Sequence, residues 1–367
     1  MKRVADYLNY ADFKSEADQK VLPVIKKIVN DCFQSPLYTK YKNSLKLFFI
    51  IGSVALALLV ITLSVFIPCA ISGKEPGMIV GGVFGVITFP IIIVAAVYLW
   101  QALSAAKSIS SMIRNKISKD DVYKMTIDIL QPNWNFKGKN YEDQSAGVKY
   151  SFAPDTHVFT MAEYKNCMPA NIPSGARLVQ AKPCQTLIID DKYPAHFSNT
   201  HWIYETTYKD SKGNVHHSET HYYATLLKID ARSLDPKHWT SFSYFEAFAG
   251  NKKKITLENP EFNKIFKLKA DDELKARAMF TPLAMENLTN MWKRNLKFTN
   301  TNNIKLHAEN DLIYMAFISP QGFGIIDVPQ YSTKPEKVTR AIYNDILKDI
   351  FSLYFLLELV YIPNYLY

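Results

Sequence analysis

Two stretches, "LKLFFIIGSVALALLVITLSVFI" at residues 45–67 and "MIVGGVFGVITFPIIIVAAVYLW" at residues 78–100, decide how this chain is built. From Leu47 to Ile67 there are 21 residues without a charged side chain, and from Met78 to Trp100 there are 23. At 1.5 Å rise per residue, each is long enough to cross a hydrocarbon layer of about 30 Å as a helix. Two buried core helices are the alternative, and uncharged runs of this length disfavour it. The first run starts too far into the chain, and is too long, for a secretory signal. It reads as a signal anchor. The Pro- and Gly-containing connection "PCAISGKEPG" (68–77) makes the pair a hairpin with a short external loop.

Orientation follows from the flanks. Ser35 to Lys46 carries Lys40, Lys42 and Lys46, and Gln101 to Lys119 carries Lys107, Arg114, Lys116 and Lys119, with no acid in either segment. The connecting loop has only Lys74 and Glu75. Cations concentrate on the cytoplasmic side of membrane helices, so both termini are expected in the cytoplasm of a two-span cell-membrane protein. Neither span contains an ionisable residue of the kind that marks ion or proton pathways, which makes the spans an anchor rather than a transporter. Gly81 with Gly85, and Ser53 with Ala57, put small residues four apart, a spacing that lets helix backbones approach in lipid. Packing within the hairpin is the first expectation, and homo-oligomerisation through the same residues is the second.

The net charge of +9 comes from 43 Lys and Arg, mostly Lys and interspersed with 34 acids. Nucleic-acid surfaces cluster Arg and Lys, so no nucleic-acid partner is expected. Lys residues beside the spans suit an anionic leaflet, and the bilayer is the first expected partner. The four cysteines, Cys32, Cys69, Cys167 and Cys184, lack metal spacing and read as reduced thiols.

Around the spans the periodicity sets the layout. Residues 11–33 place Val21, Leu22, Ile25, Ile28, Val29 and Cys32 on one helical stripe with Pro23 at a break. The second span continues as a helical stalk, and a new helix opens near "SKDD" (118–121) and stops before Pro132. Strand patterns take over from about Tyr141 to Val328. The chain therefore divides into an N-terminal helical segment (1–46), the hairpin (47–100), stalk helices (101–131), an α+β domain with a mostly antiparallel sheet (132–334) and a C-terminal amphipathic helix (335–367). Ile342, Ile346, Leu347, Ile350, Phe351, Tyr354 and Phe355 recur at helical spacing in that last element. It is expected to pack on the sheet, with the membrane interface as the alternative.

"KDSKGN" (209–214) predicts a turn joining Trp202–Tyr208 to Val215–Ile229 as an antiparallel hairpin. Its second arm holds "HHSETHYY" (216–223), three of the chain's eight histidines. Strand alternation puts His217, Glu219 and His221 on one face, but His217 and His221 are then about 13 Å apart, too far to share one zinc ion. If Tyr208 faces Val215, the opposing residues are Thr206, Tyr204 and Trp202, poor ligands all, and His201 falls on the other face. These three residues are weak metal candidates, and a solvated arm is the expected reading.

Downstream, "FNKIFKLKADDELKARAMFTPLAMENLTNMWK" (262–293) followed by "DLIYMAFIS" (311–319) resembles the bacterial domain-of-unknown-function family 3137. Phe262, Phe266, Ala276, Arg277, Thr281, Pro282, Met285 and Leu288 carry the resemblance, while Lys275 stands where the family often has Glu. Two spans before such a domain fit the family's layout, and the resemblance implies no activity. Arg277 is expected to form a buried salt bridge to Glu273 rather than to contact a ligand. No Gly-rich phosphate loop, HExxH or GxSxG occurs, "GFGII" from Gly322 lacks a dinucleotide fingerprint, and Asp190–Asp191 reads as a strand-end turn. No catalytic residue and no cofactor are expected. The leading expectation is a membrane-anchored cytosolic interaction or scaffold module with a protein partner at the membrane. The alternatives are a membrane-tethered enzyme or a ligand or metal sensor using Arg277 and the 201–223 hairpin, and an accessory subunit of a transport or secretion complex.

Overall fold

In the computed structural model, which describes residues 9–72, 75–137, 159–169, 171–182, 185–190, 192–233, 240–245, 252–309, 311–319 and 322–365, both apolar stretches are helical. They belong to α3 (Pro36–Ser72) and α4 (Glu75–Lys119). The helices consume most of the loop expected at 68–77, because Pro68 is taken into α3 and Pro76 sits in the first turn of α4, where its missing N–H costs nothing. Cys184, Asp191 and most of the segment around Tyr141 lie outside the described residues, as do the surroundings of Cys69 and Gly81.

Two compact units partition the chain. The first comprises residues 25–117 and 328–341. In it α2 (Leu22–Phe33) buries Ile25, Ile28, Val29 and Cys32, and the lower part of α4 buries Ala102, Ala105, Ala106, Ile109, Ile113 and Ile117, each set on one helical stripe. Tyr41 Oη donates to the Tyr331 carbonyl at 3.2 Å and Tyr38 Oη to that of Thr333 at 3.1 Å, fastening residues 331–333 to α3. Higher up, a Cβ placed on Gly85 would lie 4.0 Å from Thr62 Cγ2 of α3. Ser53 and Ala57 are exposed, and among the described residues of this region Ala55, Thr88 and Ala95 are buried. Ser53 Oγ donates back to the Ile50 carbonyl at 2.8 Å.

The second unit comprises residues 1–24, 118–327 and 342–367. It opens with α5 (Val122–Leu130), which follows "SKDD" and stops before Pro132 as expected. Its centre is an antiparallel sheet of β1 (Asn135–Lys137), β3 (Gln185–Ile189), β4 (Tyr193–Lys209), β5 (Val215–Asp230), β10 (Leu312–Ile318), β9 (Asn302–Glu309), β6 (Phe242–Tyr244), β8 (Lys269–Ala270) and β7 (Lys253–Lys254), in that spatial order. β2 (Arg177–Ala181) pairs with β4. The fold is α+β, as the strand patterns predict. The central hairpin is longer than the expected arm Trp202–Tyr208, since β4 begins well upstream, at Tyr193. The added part is buried on both faces, Ala195 and Phe197 on one and Trp202 on the other, as a central strand between β3 and β5 requires.

Four helices cover one face of the sheet. Asn259 and Thr281 cap α7 (Pro260–Phe266) and α9 (Pro282–Asn295), each with Pro in the first turn. Asp272 caps α8 (Glu273–Met279) between them. α10 (Pro335–Tyr365) closes the core: every residue from Phe351 to Val360 is buried. A helix that is buried on all sides belongs inside a domain, so the membrane-interface alternative for this element falls. Its contacts are aromatic. Phe355 meets Trp292 at 5.6 Å, Phe351 meets Phe13 of α1 (Tyr10–Lys20) at 5.7 Å, and Tyr354 meets Trp134 at 6.2 Å. Tyr343 Oη adds a hydrogen bond to Asp18 of α1 at 2.7 Å. Deleting a buried aromatic ring loses its transfer free energy and leaves a cavity. Phe355→Ala should therefore lower the unfolding free energy of this unit by about 3–5 kcal/mol, read by denaturant titration of the full chain in detergent with tryptophan emission as the signal.

Candidate functional site

One register row of the sheet is unexpectedly polar. Thr186, His196, Lys228, Tyr314, His307 and Ser243 stand side by side across β3, β4, β5, β10, β9 and β6. Over its middle lies α6 (Met161–Asn166), started by a capping box in which Thr160 Oγ1 accepts from Glu163 N and Glu163 accepts from Thr160 N. The box points Glu163 at the row. Its Oε1 accepts from Lys228 Nζ at 2.7 Å and from Tyr314 Oη at 2.6 Å, and its Oε2 accepts from Thr160 N at 2.6 Å. Burial acts to raise the Glu163 pKa, but the Lys228 ammonium and the hydrogen bonds from Thr160 and Tyr314 outweigh it and hold the pKa at about 2.

The surroundings follow the same logic. Burial, then the Glu163 charge, pushes the Tyr314 phenol well above its ordinary range. Burial raises the Cys167 thiol to about 12, which keeps it protonated and unreactive. Lys305, lowered by burial, donates to the Met168 carbonyl at 2.6 Å. His307 sits between Lys252 at 3.2 Å and Glu309 at 2.8 Å, and burial lowers its pKa. Glu163 is thus an ionised carboxylate with its acceptors filled, a clamp joining α6 to β5 and β10. Its sequence signal was faint. Lys228 interrupts the apolar run "ATLLKID", and Thr160 and Glu163 have capping-box spacing, but nothing in the sequence brings the two together.

A second polar knot lies on the opposite face. Asn199 brackets Phe323, accepting from its N–H at 2.8 Å and donating to its carbonyl at 2.9 Å, while Thr225 Oγ1 donates to Asn199 Oδ1 at 2.6 Å. Gly322 and Gly324 have φ of +84° and +68°, and a Cβ on Gly322 would come within 2.7 Å of Ile325 Cδ1. The glycines of "GFGII" therefore serve this fold. Gly324 N donates to Asp349 and Asp327 N to Asp345, both at 2.9 Å. Burial, and for Asp349 also the neighbouring Asp345 carboxyl, raises both pKa values, that of Asp345 to about 6.

The sequence-derived candidates fall elsewhere. Arg277 does pair with Glu273, through Nε at 2.9 Å and Nη2 at 2.8 Å, and also reaches Glu258 at 3.0 Å and the Thr256 carbonyl at 3.1 Å. The bridge is exposed, correcting the expectation of a buried one: α8 turns that side to solvent while Ala276 and Met279 face the core. Phe262 and Phe266 are fully buried and stacked at 4.7 Å, Thr281 Oγ1 accepts from Ala284 N at 3.2 Å, and Pro282 follows it in the first turn. These motif residues build core and caps. Asp190, with φ of +49°, ends β3 in a turn and accepts from Tyr361 Oη.

For the histidines the register matters. Lys209 pairs with Val215 and Tyr208 with His216, one residue away from the pairing expected. That slip reverses the face assigned to His201. It pairs with Tyr223 and lies on the same face as His217, Glu219 and His221. His201 Nε2 is 3.0 Å from His221 Nδ1, whereas His217 Nδ1 pairs with Thr207 Oγ1 at 3.1 Å. Among the described residues no three or more His, Cys, Asp or Glu side chains gather into a ligand set.

The geometry defines an α+β domain of antiparallel sheet and packed helices, preceded by two long apolar helices. A family model described as "Protein of unknown function (DUF3137)" matches residues 202–359. The match starts at Trp202 on β4, takes in the hairpin as well as the motif, and runs on into α10, past the Ser118–Val328 stretch over which the resemblance was expected. No curated protein and no solved structure matches the chain.

Two outcomes test the polar knots. Glu163 has a folded-state pKa below its ordinary value, so its stabilisation is present above about pH 4.5 and is lost as pH falls toward 2. Glu163→Gln should lower stability by about 2 kcal/mol at pH 7, with the difference from the parent shrinking in melts below pH 4. For the Asp345–Asp349 pair the sign is opposite. Raised folded-state values mean that stability falls as pH climbs from about 4 through 6. Asp349→Asn keeps an oxygen for Gly324 N–H and should exceed the parent by about 1 kcal/mol or more at pH 7.5, converging with it near pH 4 in the same melts.

Proposed function

We infer that this protein is a membrane-anchored interaction module whose α+β domain lies in the cytosol. One observation carries the anchor. The most apolar windows of α3 and α4 are only 12% and 11% buried, leaving Phe49, Leu56, Val86, Phe89 and Trp100 on the outside. Core helices of a water-soluble domain bury such residues, and an apolar surface this long in water would exceed the few hundred Å² that soluble proteins tolerate. A hydrocarbon layer is the solvent that fits it. Lysines flank the outer ends of the two helices, at 40–46 and 107–119, which supports a cytosolic position for both termini.

The β4–β5 hairpin supports the interaction reading. β10 pairs with β5 only as far as Ala224, and β2 with β4 only as far as Ile203. Residues 205–209 and 211–221 are exposed, so a two-stranded arm projects with strand edges unpaired among the described residues. Unpaired edges are places where another chain adds a strand.

Alkaline carbonate should leave the full chain in the membrane pellet; release to the supernatant would remove the anchor. In a full-length variant with all four native cysteines replaced by Ser, Lys74→Cys should react in intact cells with a membrane-impermeant maleimide added outside, and Lys46→Cys only after lysis. Replacing residues 206–218 with an Asn-Gly turn should abolish partner co-purification from solubilised membranes while the protein stays anchored.

A further inference from the structure

The register of the hairpin arm assembles a pair of histidines that strand alternation alone separates. His201 on β4 and His221 on β5 lie diagonally across one face, with ring centroids 5.2 Å apart and planes at 27°. His201 is also stacked on Tyr223, centroid to centroid 4.5 Å at 12°, which fixes its ring. The nitrogens that face each other, Nε2 of His201 and Nδ1 of His221, are 3.0 Å apart and share one proton. On its far side His221 Nε2 looks toward Glu219 Oε2 at 3.9 Å.

We propose that His201 and His221 form a two-histidine site for a late first-row divalent metal ion of the Cu(II), Ni(II) and Zn(II) class, with Glu219 orienting His221 from behind and water completing the coordination. The distance needs little change, and each ring turns to aim its lone pair at the ion. Two nitrogens at 2.0–2.1 Å from one ion with a tetrahedral angle between them stand about 3.4 Å apart, so the pair opens by a few tenths of an ångström. Each imidazole donates one lone pair. The proton between the rings leaves the shared position, and each ring carries its N–H on the nitrogen turned away from the metal: Nδ1 of His201, and Nε2 of His221 facing Glu219. Two neutral rings therefore bind without net proton release. A carboxylate behind a ligating imidazole is the arrangement that fixes tautomer and ring orientation at metal centres.

Electrostatics favour the ligating form. Burial, then the neighbouring His221, lowers the His201 pKa, and the neutral imidazole is the form that binds a metal. Imidazole ligands select the copper, nickel and zinc end of the series over magnesium and calcium. The other arm histidines stand apart, because His217 bonds Thr207 and His216 bonds Asp210 at 3.1 Å on the opposite face.

The test is a titration of the full chain in detergent micelles, free of any affinity-tag histidines, with Zn(II) and separately with Ni(II), followed by calorimetry. One saturable equivalent is expected. His201→Ala and His221→Ala should each weaken it by at least about tenfold, and Glu219→Gln by up to about tenfold. His217→Ala and His216→Ala should leave it unchanged, and thermal melts should confirm that the variants fold. With Cu(II), nitrogen hyperfine splitting from two imidazoles in the parent should fall to one in either single variant. The proposal is overturned if the His201→Ala, His221→Ala double variant binds as the parent does, if His217→Ala loses as much, or if the parent shows no saturable binding.

Discussion

The pairing of β4 with β5 is the constraint on which the rest of the domain depends. Fifteen consecutive residue pairs, from Ala195–Ile229 to Lys209–Val215, join the two strands, and the inner half of that ladder is buried on both faces. Side chains alternate with a period of two, so a slip of one residue would exchange the sets. Trp202, Ala224 and Leu226 would trade places with His201, Tyr223 and Leu227. Burial of Trp202 and Leu226 against Phe159 and Tyr164 on one side, and of Phe197 against Phe323 on the other, forbids it. Once the register is set, Lys228 meets Glu163, Asn199 meets Phe323 and His201 meets His221 with no further choice.

The helical layer depends on that sheet. α10 places ten successive buried residues beside β6 and α9, where Tyr244 Oη donates to the Leu359 carbonyl at 3.3 Å. The family match ends within this stretch, and its physical sense is that the sheet without α10 leaves Tyr244, Phe266 and Trp292 short of a covering layer. The motif residues Phe262, Phe266, Thr281 and Pro282 act on the same layer as core and caps.

Polar chemistry sits where the sheet runs out of apolar cover. The Glu163 clamp closes a charged row beneath a one-and-a-half-turn helix, and the Asp345–Asp349 pair ties the 322–327 loop to α10 through two backbone N–H groups. Both are satisfied internally, and each carries its own pH dependence of opposite sign. Beyond Ile203 and Tyr222 the hairpin leaves the sheet, and the imidazoles of His216, His217 and His221 are exposed to solvent.

By itself the sequence determined the two apolar helices, the Asp210–Asn214 turn with Gly213 at φ +85° and the α+β class. These are local: uncharged length, periodicity and turn chemistry act within a few residues of chain. Tertiary structure alone decided the true start of β4, the hairpin register, the exposure of Arg277 and the meeting of Glu163 with Lys228 across 65 residues. The physical reason is that alternation fixes which residues share a face only after a register is chosen. The register is chosen by burial against Phe159, Tyr164 and Phe323, distant segments that no local pattern can place.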